Sequence, residues 1–408
     1  MEQLSILIFN TGSSSLKFEL FESINHDLQS VIRGKVDIGG LSIMDWNDGD
    51  THTQIHIEAE NHAQAASWIL DWLQNLWPFG SLLDHLDIVA HRIGQGGNAF
   101  FSPQLVTDKV LAQLEESTRS APLHNPNALA VMRITREKLP GYVQTFAVFD
   151  TAFFYNLPQH VGYALPESLI KKYGIRRYGF HGIAHRYMIE RHEKIAKKPV
   201  NDSCIISFQL GHSCSVTASR NGKAVDTSMG YTPLEGLMMG TRAGDIDPGI
   251  LIDLLFRGMT VDELINKLNH HSGLIGITKY TTDMRELLMK QETNADLRLA
   301  IDMFCHRARR YLGAYMAILN GADAVIFGGG IGEHSPEIRK RICDGMSWCG
   351  LLLDERRNQL AVGSEMLISS DLSRVGVYVL PVNEEIIMAE DVKNAFMNYK
   401  SKADSYIN

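Results

Sequence analysis

Six short apolar runs in this chain end alike, in a glycine-rich, basic or acidic loop. Leu4–Phe9 runs into Asn10-Thr11-Gly12, Leu86–Ala90 into His91-Arg92, and Val143–Phe149 into Asp150. Cys204–Leu210 runs into Gly211-His212-Ser213, Ala324–Phe327 into Gly328-Gly329-Gly330-Ile331-Gly332, and Val375–Leu380 into Pro381-Val382-Asn383-Glu384. Runs this short and this apolar read as strands buried on both faces. Helical periods fall between them, at Ala63–Leu76, Ile250–Phe256, Leu299–Leu319 and Ile338–Cys343. Strands that end in ligand-type loops and alternate with helices predict an α/β architecture with binding loops at strand ends.

The first run has a different partner. Leu16–Phe21 alternates, so strand, serine-rich turn and strand form a hairpin. This hairpin differs from the strand, glycine loop, helix unit of the common nucleotide folds, and no GxxxxGK[ST] occurs. At 408 residues the chain exceeds one comfortable core. Two domains are expected, 1–150 and 151–384, with a final helix at 385–408 packing back on the first.

Charge and cysteines narrow the class. The net charge of -8, from 39 basic and 47 acidic side chains, argues against a broad nucleic-acid-binding face. The five cysteines include no CxxC pair, and their odd number suits reduced thiols. Cys343, Cys349 and His334 match no compact zinc spacing and are read as scattered residues. The N-terminal apolar stretch lacks a basic flank and reads as a strand, not a signal peptide. No run is long enough to cross a bilayer, so a cytoplasmic location is expected.

Four segments could carry chemistry. In Asn10-Thr11-Gly12-Ser13-Ser14-Ser15-Leu16-Lys17, backbone amides and three hydroxyls can meet phosphate oxygens, with Lys17 adding charge. Residues 229–248 are glycine-dense and hold Arg242 with Glu235, Asp245 and Asp247. Arginine's rigid fork suits a carboxylate or a transferring phosphoryl group. Read alone, Arg242 is either such a clamp or a partner for Asp245 or Asp247. The third group, His91-Arg92-Ile93-Gly94-Gln95-Gly96-Gly97, His124-Asn125-Pro126 and Tyr178-Gly179-Phe180-His181-Gly182, sets donors beside glycine or proline. His181 and His185 are four apart, but no glutamate follows His181, so HExxH is absent. The fourth, Gly328–Glu333, allows close approach of a flat or anionic ligand but lacks the dinucleotide fingerprint.

Together these segments resemble the acetate and propionate kinase (acetokinase) family, and within it the acetate kinases. The similarity runs from NTGSSSLKF at Asn10 to NEE at Asn383. It includes PLHNP at Pro122, VFDTAF at Val148, YGIRRYGFHG at Tyr173, DTSMGYTPLEGLMMGTR at Asp226 and GIGE at Gly330. The resemblance implies two ribonuclease H-like α/β domains of the acetate and sugar kinase, Hsp70 and actin superfamily, closing over a cleft. It implies a homodimer and Mg²⁺-dependent transfer of phosphate between ATP/ADP and acetate, with Mn²⁺ as a substitute metal and propionate or butyrate as alternative acids.

Carried over by motif, Arg92 and Arg242 would bind the carboxylate and the phosphoryl group. His181 would donate to phosphoryl oxygens and His124 would support it. Asp150 and Glu384, with Asn10, would position the magnesium, and Asn10, Ser13, Ser14 and Ser15 would face the phosphate path. Gln209, Leu210, Gly211, His212 and Ser213 match the phosphate-side loop. Asp283, Met284 and Arg285, with Gly330, Ile331, Gly332, Glu333 and His334, match the adenosine pocket. The chemistry suits these residue types. A carboxylic acid has a pKa of ~4 to 5 and is already ionised at neutral pH, so no general base is required. Charge on the phosphoryl oxygens is what needs compensation. A sugar kinase would instead need an aspartate base, a part Asp150 fits by pattern alone. An actin- or Hsp70-like nucleotide switch would need neither arginine.

The chain departs from the family at several positions. Gln209, His212 and Ser213 stand in a loop that usually reads histidine, leucine, glycine, asparagine, glycine. Gln95 replaces a histidine and His334 an asparagine. Gly94 stands where valine is frequent, in the small apolar pocket matched also by Leu123, Phe180 and Pro233. Loss of that branched side chain predicts room for an acid longer than acetate.

Overall fold

The N-terminal apolar run becomes β1 (Ser5–Thr11), buried along its whole length. In the computed structural model, which describes residues 3–25, 27–76, 83–117, 125–197 and 199–405, it pairs antiparallel with β2 (Ser15–Ile24), Thr11 opposite Leu16. The meander continues through β3 (Asp27–Asp37), β4 (Ser42–Asn47) and β5 (His52–Ile57). Along its other edge β1 lies parallel to β6 (Leu86–Ile93). Beyond β7 (Gln104–Leu105) in the chain comes β8 (Gln144–Phe149), which pairs parallel with β6 and antiparallel with β7. The order across the sheet is β5-β4-β3-β2-β1-β6-β8-β7.

Alternation along β1 decides what packs on each face. Leu7 and Phe9 join Phe18 and Leu20 under the helices His62–Asn75 and Asn125–Lys138, which also pack on one another. The helix Glu384–Ser405 packs against β1, β6 and β8. These elements form one compact unit, Met1–Ala152 with Asn383–Asn408.

The second unit, Phe153–Val382, is built on β9 (Cys204–Leu210), β10 (Cys214–Arg220), β11 (Lys223–Thr227), β12 (Ala324–Gly328), β13 (Met366–Leu367) and β14 (Gly376–Val379). Their order is β11-β10-β9-β12-β14-β13. Ile206, Phe208, Val325 and Phe327 face a core shared with the helix Ala295–Leu319. Ile205 and Ile326 face Met188 and Ile189 of the helix Gly182–Ala196.

The two sheets repeat one pattern. In each, an antiparallel three-stranded meander (β3-β2-β1, β11-β10-β9) continues into two parallel strands (β6-β8, β12-β14). That is the ribonuclease H-like order the resemblance implies. Among the described residues no helix is long and apolar enough to cross a membrane.

Candidate active site

In the first unit, parallel strand ends gather the polar groups. The β6–β8 ladder continues one residue past Phe149, where Asp150 N–H donates to Ile93 O at 3.0 Å. Phe9 lies opposite His91 and Arg92 opposite Val148, so alternation sends Asn10, Arg92 and Asp150 to one face. His91 goes to the other. It stacks on Phe9, bonds Thr135 through Nε2 at 2.9 Å, and burial pushes its pKa down to about 3. His91 is a packing residue.

Arg92 Nη2 donates to Asp150 Oδ2 at 2.7 Å, and its Nη1 is 3.4 Å from Asn10 Oδ1. Asn383 Oδ1 accepts from Ile386 N–H at 3.0 Å, which sets Glu384 and Glu385 in the first turn of their helix, where its dipole favours anions. Asn10 Nδ2 donates to Glu384 Oε2 at 2.7 Å and to Glu385 Oε1 at 2.8 Å. Lys17 Nζ lies 3.8 Å from Glu385 Oε1. Burial works to lower the pKa of Arg92, but Asp150, Glu384 and Glu385 outweigh it and hold the guanidinium above its ordinary value. Ser13 and Ser14 are exposed, and Gly12 N–H donates to Ser15 O at 2.8 Å to close the turn.

In the second unit the β9–β10 turn is the meeting point. Gly240 N–H donates to His212 O at 2.9 Å, and Arg242 Nη1 donates to Ser213 Oγ at 3.2 Å. Gly328 pairs with Gln209. A Cβ on Gly329, whose φ is +76°, would stand 2.7 Å from Leu210 O. The segments around Gln209, Arg242 and Gly328 therefore meet at one turn. Burial and the nearby Arg242 both pull the pKa of His212 down, so it is neutral at pH 7. His181 precedes the helix Gly182–Ala196 in the left-handed region, φ +58°, a strained choice for a side-chain-bearing residue. Its Nδ1 is 2.8 Å from Ser215 Oγ on β10.

The alternatives left open for Arg242 separate here. Asp245 accepts from Gly236 N–H at 2.8 Å and from Tyr311 at 3.1 Å, and lies 3.5 Å from Arg307. Asp247 caps the helix Pro248–Phe256 through Gly249 N–H at 2.8 Å. Glu235 pairs with Arg177 at 2.6 Å and accepts from Tyr163. Neither aspartate partners Arg242, which is 9% exposed and whose pKa is pulled down by burial.

The glycine run is not an open loop. Gly329–His334 forms a short helix, and Glu333 Oε1 accepts from Gly329 N–H at 2.7 Å and Val382 N–H at 3.1 Å. His334 Nδ1 is 3.1 Å from Gly330 O. Asp283 caps the helix Met284–Lys290 and holds the exposed Arg285 guanidinium by bonds of 3.1 and 2.7 Å, above a buried Met284. A cavity of about 680 Å³ beside Tyr155, Tyr163, Ile170 and Arg176 is lined by none of the expected site residues.

His124 and Leu123 lie outside the described residues. Gly94 and Gln95 are buried in the first unit, and the Gln95 side-chain amide has no hydrogen-bond partner among the described residues. Three further groups went unseen in the sequence, Glu385, Ser207 and Ser215, and His185 was noted only for its spacing from His181. Of the three only Glu385 carried a signal, as the neighbour of Glu384.

The acetokinase family model matches residues 5–390. The acetate kinase of Solibacter usitatus is 41% identical over 95% of this chain and 97% of its own length. The crystal structure of Porphyromonas gingivalis acetate kinase superposes with a TM-score of 0.85 at 36% identity, covering 96% of this chain and 99% of that one. A propionate kinase from Francisella tularensis also gives 0.85, at 34% identity, covering 95% and 98%. The two-sheet architecture is that of the acetate and sugar kinase, Hsp70 and actin superfamily, and the chain belongs to the acetokinase family.

Proposed function

We propose that the chain is a cytoplasmic acetate kinase that moves phosphate reversibly between ATP and acetate, giving acetyl phosphate and ADP, with propionate as the second acid. The observation that carries this reading is Arg242. It is a buried guanidinium set against a hydroxyl and a thioether, and both aspartates of its segment are engaged elsewhere. A desolvated cation so placed is suited to an anionic ligand.

The donor set fits Mg²⁺. Among the described residues no three His, Cys, Asp or Glu side chains gather into a self-sufficient metal site. Magnesium commonly takes only one or two carboxylates and keeps water and substrate phosphates as its other ligands. Asp150 and Glu384, with Asn10 beside them, would hold it, and when bound it offsets negative charge on the nucleotide phosphates. Arg92 and Arg242 orient the two anions, and His181 donates to the phosphoryl oxygens. Ser13–Ser15 and Lys17 border the phosphate path. Gln209–Ser213, Asp283–Arg285 and Gly330–His334 receive the nucleotide.

A homodimer belongs to the same reading. The helix Pro248–Phe256 buries none of its side chains, and Ile250, Ile252, Leu255 and Phe256 are all exposed. Val261 and Ile265 of the next helix, Val261–His270, add to this apolar surface, which a second copy would cover. Light scattering of the purified chain tests it, and a monomer at micromolar concentration would remove it.

The deciding experiment for function supplies Mg²⁺ and ATP and measures acyl phosphate from acetate, propionate and butyrate, beside a panel of sugars. Acyl phosphate from acetate or propionate supports the reading. Phosphorylated sugar in its place would recast Asp150 as a base.

A further inference from the structure

Behind His181 lies a buried line of hydrogen bonds. His181 Nδ1 is 2.8 Å from Ser215 Oγ, and Ser215 Oγ is 2.8 Å from His185 Nε2. His185 Nδ1 is 2.7 Å from Ser207 Oγ. His185, Ser207 and Ser215 have no exposure at all. The arrangement follows from the fold, since Ser207 stands on β9, Ser215 on β10 and His185 one turn beyond His181 on the helix that covers them.

We propose that Ser207, His185 and Ser215 form a one-way hydrogen-bond chain that holds His181 in the tautomer carrying its proton on Nε2. The direction comes from counting hydrogens. The Ser207 hydroxyl has one hydrogen, and among the described residues its only side-chain partner is His185 Nδ1. A buried hydroxyl left without an acceptor is costly, so Ser207 donates and His185 Nδ1 accepts. A neutral imidazole carries one N–H, which on His185 is then at Nε2 and donates to Ser215 Oγ. Burial, with His181 nearby, keeps His185 neutral. The Ser215 hydrogen goes to its other neighbour, His181 Nδ1. The remaining proton of His181 is therefore on Nε2.

Reversing the chain would leave the Ser207 hydrogen with no acceptor and put a lone pair, not a proton, on His181 Nε2. Protonating His181 at Nδ1 would direct that hydrogen at Ser215 Oγ and strand the Ser215 hydrogen. Resting on the proposed role of His181, the chain makes Ser207, His185 and Ser215 positioning residues. They present an N–H, not a lone pair, to the phosphoryl oxygens, without spending a net charge.

The test is nitrogen-15 NMR of the full chain labelled at histidine, with the His181 signals assigned by their loss in His181→Gln. A pyridine-type Nδ1 and a pyrrole-type Nε2 on His181 are expected. The opposite pattern in the wild type overturns the proposal, and needs no variant to fold. Ser207→Ala, three hydrogen bonds from His181, is expected to mix the His181 tautomers. Ser215→Ala is expected to lower kcat roughly tenfold, near the worth of one hydrogen bond, with KM for ATP and acetate unchanged and Ser215→Thr restoring the rate. An unchanged His181 tautomer in both alanine variants overturns the lock. A chain that makes no acyl phosphate yet shows the Nε2 proton supports the lock while defeating the functional reading.

Discussion

Arg92 and Asp150 meet in a buried ion pair, Nη2 to Oδ2 at 2.7 Å, with side-chain exposures of 14% and 1%. Glu384 and Glu385 also act on this guanidinium. This buried cation therefore compensates several buried carboxylates, with Lys17 beside Glu385 as the second positive charge. Arg92→Ala removes the guanidinium, and losing one partner of such a pair costs about 3–5 kcal/mol. Urea unfolding of the variant beside the wild type checks this; a loss far below that figure would show that Arg92 does not hold the cluster together.

Arg242→Ala should separate activity from stability. Its bond to Ser213 and its contact with Met239 involve neutral groups, and removing a desolvated charge offsets part of what those contacts contribute. We expect unfolding free energy to change by about 1 kcal/mol. Turnover should fall by about 10²–10³-fold, the usual cost of removing a transition-state donor. A variant that keeps its wild-type kcat would take Arg242 out of the reaction.

Gly329 and Gly330 are neighbours with opposite expectations. Gly329 has φ +76°, and an added Cβ would meet the Leu210 backbone at 2.7–2.9 Å, whereas a Cβ on Gly330 meets nothing within 4 Å. Gly329→Ala should cost roughly 1–3 kcal/mol of stability. Gly330→Ala should leave stability level or raise it slightly while increasing KM for ATP, because the methyl group would stand in the proposed nucleotide surface. Paired urea melts and ATP titrations decide it, and equal responses from the two variants would refute the distinction.

The contrast between legible and hidden features has physical causes. Cys204–Leu210 was readable to the residue because β9 is covered on both faces and is apolar apart from Ser207 and Gln209. β3, β4 and β5 were missed because strands of an outer meander carry mixed polar sequences. The equivalence of the two sheets lies in strand order, which residue identities do not repeat. His91 and Arg92 are adjacent in sequence and opposite in fate, which the strand period could have told. That Arg242 does not pair with Asp245 or Asp247 could not be read until both were seen to be engaged elsewhere. Ser207 and Ser215 had no signal because two strands bring them from distant positions to the helix Gly182–Ala196.

Gly94 offers a test of acid length. It is buried at the end of β6, two residues past Arg92. Gly94→Val should lower kcat/KM for propionate relative to acetate by the equivalent of about 1–3 kcal/mol, the worth of a methylene in a fitted pocket. Steady-state kinetics with both acids read the ratio. A ratio unmoved by the substitution would mean that neighbouring side chains already fill the space.

Glu19 on β2 is 3% exposed, its Oε1 has no hydrogen-bond partner among the described residues, and burial raises its pKa to about 7. Glu385 adds to the rise, while a hydrogen bond from Ser30 works against it. Between about 4.5 and about 7 the folded chain keeps a proton that the unfolded chain has released, so stability falls as pH rises across that window and levels off above it. Glu19→Gln removes the titration. It should be close to neutral at pH 4.5 and stabilising by about 2 kcal/mol at pH 8, after discounting for the amide's own burial. Urea unfolding from pH 4.5 to 8 measures the difference. A wild-type stability that rises across this range relative to the variant would mean that Glu19 is charged and well solvated in the folded protein.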